Sequence, residues 1–140
     1  MIRLARCGDA PVLAALGVEF ISAQHYGRFL TADAGAIQAH MHMVISGERS
    51  AIIVAEVSEQ IVGMIGLQVV AHPLSGETTA AELFWFVRAG HRDGTGRALM
   101  KAAEVWARER SAVKFQMTAP DHRVAKLYER RGFEAVETTY

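Results

Sequence analysis

Ala80-Ala81-Glu82-Leu83-Phe84-Trp85-Phe86-Val87, followed at once by Arg88-Ala89-Gly90-His91-Arg92-Asp93-Gly94-Thr95-Gly96, decides the fold. The first eight residues are too continuously apolar for a sheet with one solvated face, so they belong inside a sheet. The glycine loop then opens a helix with Leu99, Ala103 and Trp106 on one face. Gly94 and Gly96 let the backbone turn sharply. The helix behind them offers unpaired N–H groups and the positive end of its dipole, a ready site for phosphate.

Working outward, residues 112–118 read as another strand. Asp121 or Pro120 opens a last helix with Val124, Leu127 and Tyr128 at helical spacing, and Gly132 closes it. Residues 133–138 make a final strand. Upstream, residues 50–57 and 61–71 form a hairpin around Ser58-Glu59-Gln60, with Gly63 and Gly66 marking a bulge or a close backbone approach. Residues 72–79 form a polar loop. At the front, residues 2–6 alternate as a short strand. Asp9 and Pro11 open a helix running to about His25. Asp33 caps a second helix with Ile37, Met41, Val44 and Ile45 on one face, ended by Gly47. The order β-α-α-β-β-β-α-β-α-β predicts an α/β fold, a mixed sheet flanked by helices, in a single domain over residues 1–140.

The 140 residues are 51% hydrophobic, which argues against disorder. No apolar run approaches the roughly 20 residues of a membrane span. No apolar stretch follows the basic residues of the opening segment, so no signal peptide is expected. Cys7 alone cannot form an internal disulfide, so a reducing cytoplasm is the expected location. Fifteen Lys and Arg balance fifteen Asp and Glu, which gives no support to a nucleic-acid partner. The balance hides an asymmetry. Residues 1–87 hold 4 basic and 8 acidic side chains, residues 88–131 hold 11 and 5, and residues 132–140 hold only Glu134 and Glu137. The basic stretch suits a local anionic ligand, and solvated helix faces would account for it equally.

Three phosphate-loop chemistries compete at residues 88–97. A P-loop needs Lys followed by Ser or Thr after its last glycine, and here Arg97-Ala98 follows. A dinucleotide fingerprint needs a third glycine where Leu99 stands. A coenzyme A pyrophosphate cradle fits the context of strand, loop, helix, strand and tyrosine-bearing helix. An ordinary strand-to-helix turn would use the same glycines.

Together these segments resemble the GNAT superfamily of N-acetyltransferases. Gly94-Thr95-Gly96-Arg97-Ala98-Leu99-Met100 matches the glycine half of the family loop and its helix. At the front, His91 stands at the spacing of the family Gln or Arg. Alternatively Arg92 is that arginine and the loop is one residue shorter, the alignment that Val87-Arg88-Ala89-Gly90-His91-Arg92 favours. The second family motif runs from Asp121, in place of asparagine, through Leu127-Tyr128 to Gly132-Phe133. The resemblance covers roughly residues 50–140.

It implies acetyl-CoA as cosubstrate, with no metal, and a cradle of His91, Arg92, Asp93, Gly94, Thr95, Gly96 and Arg97 with Asp121. Phe86 and Val87 would pair with the pantetheine arm through their backbones. Tyr128 would be the acid for the leaving thiolate. Glu82 stands next to where the family often keeps a base: desolvated among Leu83, Phe84 and Trp85 it would take the amine proton, directly or through water, and a rim or ion-paired glutamate is the other reading. The implied activity is acetyl transfer to a primary amine. The alternative is a coenzyme A-binding module with a regulatory or assembly role. Glu19, His25, Tyr26 and the 72–79 loop are acceptor-side candidates, and the acidic first segment hints at a cationic amine. A homodimer would form through the C-terminal strand edge or apolar helix faces. His25, His40 and His42 lack metal-ligand spacing, and Cys7 reads as a small apolar residue.

Overall fold

Backbone pairing joins five strands into one sheet in the order β1-β2-β3-β4-β5. In this computed structural model the elements are β1 (Ile2–Leu4), α1 (Ala10–Ala23), α2 (Ala34–Ser46), β2 (Ser50–Val57), β3 (Gln60–Ala71), β4 (Thr78–Val87), α3 (Thr95–Glu109), β5 (Phe115–Gln116) and α4 (His122–Arg130). The structure describes the backbone of residues 1–140 and every side chain except that of His25. β1 to β4 pair antiparallel, and β4 pairs with β5 in parallel. The sheet is therefore mixed, as the element order predicts.

Alternation along the strands sorts two cores. Ile52, Val54, Met64 and Phe86 pack with Leu13 and Leu16 of α1 and Met41 of α2. Ile53, Ile65, Leu67 and Val87 pack on the other face with Leu99, Ala103 and Trp106 of α3. Residues two apart share a strand face, so the period of 2 produces this division directly.

Two irregularities interrupt the ladder. Ala55 pairs with Gly63 but Glu56 with Ile61, which bulges β3 beside Gly63. Gly66 pairs with Phe84 but Leu67 with Glu82, so Leu83 is an extra residue in β4. That bulge resets the alternation of β4. Glu82 lies on the same face as Trp85 and Val87, while Phe84 and Phe86 lie on the face of α1 and α2.

Several sequence expectations are corrected. The anticipated strand over 112–118 shrinks to two residues, and 133–138 forms no strand. Alternation alone does not make a strand, and β5 pairs with β4 only at Ala80 and Ala81. α1 stops at Ala23, and a 3-10 turn covers His25–Arg28. Asp9 does not cap α1 with its side chain. It accepts hydrogen bonds from Arg3 and from Arg6 N instead. Asp33 and Asp121 do cap, accepting from Ala36 N and Val124 N. Cys7 is exposed rather than packed in the core. Among the described residues, no helix is long and apolar enough to cross a membrane.

Candidate active site

β5 leaves β4 after Ala81, so the outer backbone edge of β4 from Glu82 onward is not covered by that strand. A cavity of about 410 Å³ occupies the gap, in the size range of small-molecule sites. Both faces of the sheet line it. Phe84 and Phe86 contribute from one side with Phe20, Gln24 and Tyr26 of α1 and the following turn. Trp85 and Val87 contribute from the other with Gly94, Gly96 and Arg97. α4 adds Arg123, Val124, Leu127 and Tyr128.

The anion end follows from local backbone geometry. Gly94 takes φ +109°, a left-handed conformation suited to glycine, and so starts α3 within one residue. No side chain caps α3. Ala98 N donates the first helical bond, to Gly94 O, so the N–H groups of Thr95, Gly96 and Arg97 precede the ladder. Four arginines, Arg92, Arg97, Arg123 and Arg131, line the same cavity. Arg92 Nε donates to Val87 O at 2.9 Å, which fixes the loop to the end of β4. These features fit a polyphosphate. Among the described residues no cluster of three or more His, Cys, Asp or Glu could hold a metal ion.

Two titratable groups that line the cavity share Thr118 as a backbone partner. Thr118 N donates to Glu82 Oε1 at 3.0 Å, and Tyr128 Oη donates to Thr118 O at 3.2 Å. Glu82 Oε2 is buried with no partner, as is Trp85 Nε1. Burial pushes the Glu82 carboxyl up to about 7, against the lowering effect of Thr118 N–H. Burial, then the nearby Glu82 and Tyr26, push the Tyr128 phenol well above its ordinary range. Tyr128 is only 6% exposed and its ring stacks obliquely 5.9 Å from Trp85.

Of the residues expected from sequence, Glu82, Phe86, Val87, Arg92, Gly94, Gly96, Arg97, Asp121 and Tyr128 line the cavity. His91, Asp93 and Thr95 do not, although Thr95 contributes one of the leading N–H groups of α3. Tyr26 does line it. Glu19 does not: Arg88 holds it in an ion pair at 2.6 Å. The 72–79 loop stays outside, and the side chain of His25 lies outside the described residues. Sequence reasoning missed Thr118, which acts through its backbone and leaves no side-chain signal. It missed Arg123 as well, although the i, i+4 spacing to Leu127 places the two on adjoining helix positions.

Comparison with known proteins agrees with this architecture. No curated protein matches the sequence. A mutant protein from Bacillus halodurans is 19% identical with a TM-score of 0.87, covering 100% of this chain and 96% of its own. A ribosomal-protein-alanine N-acetyltransferase from Brucella melitensis biovar Abortus 2308 is 22% identical with a TM-score of 0.78, covering 100% and 95%. An aminoglycoside 6′-N-acetyltransferase from Acinetobacter haemolyticus is 19% identical with a TM-score of 0.73, covering 100% and 94%. At such identities these likenesses show the fold. The model of the Acetyltransferase (GNAT) family matches residues 18–133, a span that takes in the bulged β4, the glycine loop and the tyrosine helix, and the chain belongs to that family.

Proposed function

We propose that this protein transfers the acetyl group of acetyl-CoA to a primary amine by direct attack, with Glu82 as the base and Tyr128 as the acid. The observation that carries this reading is Thr118, whose N–H holds the raised-pKa Glu82 carboxyl and whose carbonyl holds the Tyr128 phenol, in a cavity also lined by the start of α3 and four arginines. Acetyl-CoA, when bound, supplies the thioester carbonyl and the leaving sulfur. The N–H groups of Thr95, Gly96 and Arg97 with Arg92 and Arg123 would hold its phosphates. On the uncovered edge of β4 the backbone of Trp85 would pair with the pantetheine arm and the Val87 carbonyl is engaged by Arg92, whereas the Phe86 carbonyl faces Gly63 of β3, which corrects the expectation for Phe86.

Glu82 accepts a proton from the attacking amine through one water, since its unpartnered Oε2 is buried from direct contact. The new C–N bond forms as the C–S bond breaks, and Tyr128 gives its proton to the departing sulfur. The two carriers are coupled. The Glu82 charge contributes to raising the Tyr128 pKa. Once Glu82 is protonated that contribution disappears, so Tyr128 becomes a better acid when the thiolate needs a proton.

Calorimetry with acetyl-CoA and desulfo-CoA, paired with thiol release over an amine panel, tests the proposal. Binding of both with thiol release is expected. No binding of either overturns the cofactor assignment. Binding without release from any amine would instead support a coenzyme A-binding module.

A further inference from the structure

The cavity wall on the α1 and α2 face of the sheet differs chemically from the acidic composition of residues 1–87. Phe20, Tyr26, Phe84 and Phe86 line it, and three of the rings are in contact: Phe20 lies 5.5 Å from Tyr26 and 5.7 Å from Phe86, centroid to centroid. The Leu83 bulge aims Phe84 and Phe86 to that side while leaving Glu82 on the other. Residues 1–87 carry eight Asp and Glu, yet among the described residues only Glu82 of these lines the cavity. Asp9 and Glu56 are held by Arg3, Glu19 is held by Arg88, and Asp33 caps α2. The one further lining carboxylate, Asp121, belongs to the α4 side and is bonded to Val124 N.

A polycationic acceptor therefore meets one carboxylate for its reacting nitrogen and aromatic faces for the rest. An ammonium taken out of water without a counter-charge is costly, whereas apolar surface placed against these rings is favoured. Building on the transferase reading above, we propose that the acceptor is a small monoamine with an aromatic or bulky apolar body. The amine reaches past the uncovered edge of β4 toward Glu82, and the body packs against Phe20, Phe84 and Tyr26 on the other face of the sheet. The reaction is the same acetyl transfer, the amine losing one proton and the thiol gaining one.

Thiol release from acetyl-CoA is to be measured with 2-phenylethylamine, ethanolamine, spermidine and an aminoglycoside. The expected kcat/KM for 2-phenylethylamine exceeds each of the others by at least about tenfold, the scale of burying one large side group. Phe20→Leu should raise KM for 2-phenylethylamine with little change in kcat. Gln24→Glu should shift preference toward spermidine by supplying the missing counter-charge. Equal or better use of spermidine or the aminoglycoside by the wild-type protein overturns the acceptor class and leaves the transferase reading standing. Absence of thiol release with every amine overturns both.

Discussion

Glu82 sits where a carboxyl gains little from water and has one backbone donor, Thr118 N, on one oxygen. Its pKa of about 7 against an ordinary 4.5 has two consequences of opposite value. As a base it is near its best at neutral pH. The account therefore expects kcat/KM to rise through a limb near pH 7, and Glu82→Gln to remove that limb while lowering the rate by about 10²–10⁴. A retained limb in the variant would assign the base elsewhere. For stability the sign is reversed. The folded chain binds this proton more tightly than the unfolded one, so the contribution of Glu82 to stability is greatest below about pH 4.5. It falls as pH rises to about 7 and is flat above, a loss of about 3 kcal/mol. Thermal unfolding should thus show the E82Q variant gaining on the wild type between pH 4.5 and 8. Unchanged relative stability across that range would mean Glu82 is solvated.

At the scale of elements, the site depends on one strand ending correctly and one helix starting abruptly. Alanine at Gly94 would have to adopt φ +109°, a strain of about 1–3 kcal/mol that the loop can relieve only by moving the α3 N-terminus. Gly94→Ala is expected to weaken acetyl-CoA binding by calorimetry while circular dichroism shows an intact fold. Undiminished affinity would remove α3 from the cradle. A Cβ on Gly66 would overlap the Phe84 ring, so Gly66→Ala should displace that ring and raise the acceptor KM more than that of acetyl-CoA. Most of this was legible beforehand. The hairpin, the caps at Asp33 and Asp121, the glycine loop and the tyrosine helix all carry local signals of spacing and residue type. The Leu83 bulge was not, since nothing in Glu82-Leu83-Phe84 marks a register change that depends on Gly66 across the ladder. The short β5 and the absent strand over 133–138 escaped for a related reason. A strand needs a paired neighbour, and pairing is not written in the strand itself. Thr118 acts only through its peptide groups, which every residue possesses.

Across the whole molecule, a net charge of zero conceals two chemically different regions. Arg92, Arg97, Arg123 and Arg131 gather at one cavity, while most acids of residues 1–87 are paired, capping or outside it. Acetyl-CoA affinity should fall as salt is raised from low to physiological ionic strength and beyond, because partly exposed cation–phosphate attraction is screened. A flat response would reduce the arginine cluster to surface chance. Of the eight carboxylates of the first segment only Glu82 lines the cavity among the described residues, so the acid excess itself is not concentrated there. In the proposed reaction the Thr118 carbonyl holds Tyr128 as the proton donor to the leaving sulfur. The most direct test of this role is single-turnover thiol release by wild type and Tyr128→Phe at matched acetyl-CoA saturation. The variant is expected to be slower by about 10²–10⁴ with acetyl-CoA affinity unchanged. Equal rates in the two proteins would contradict it.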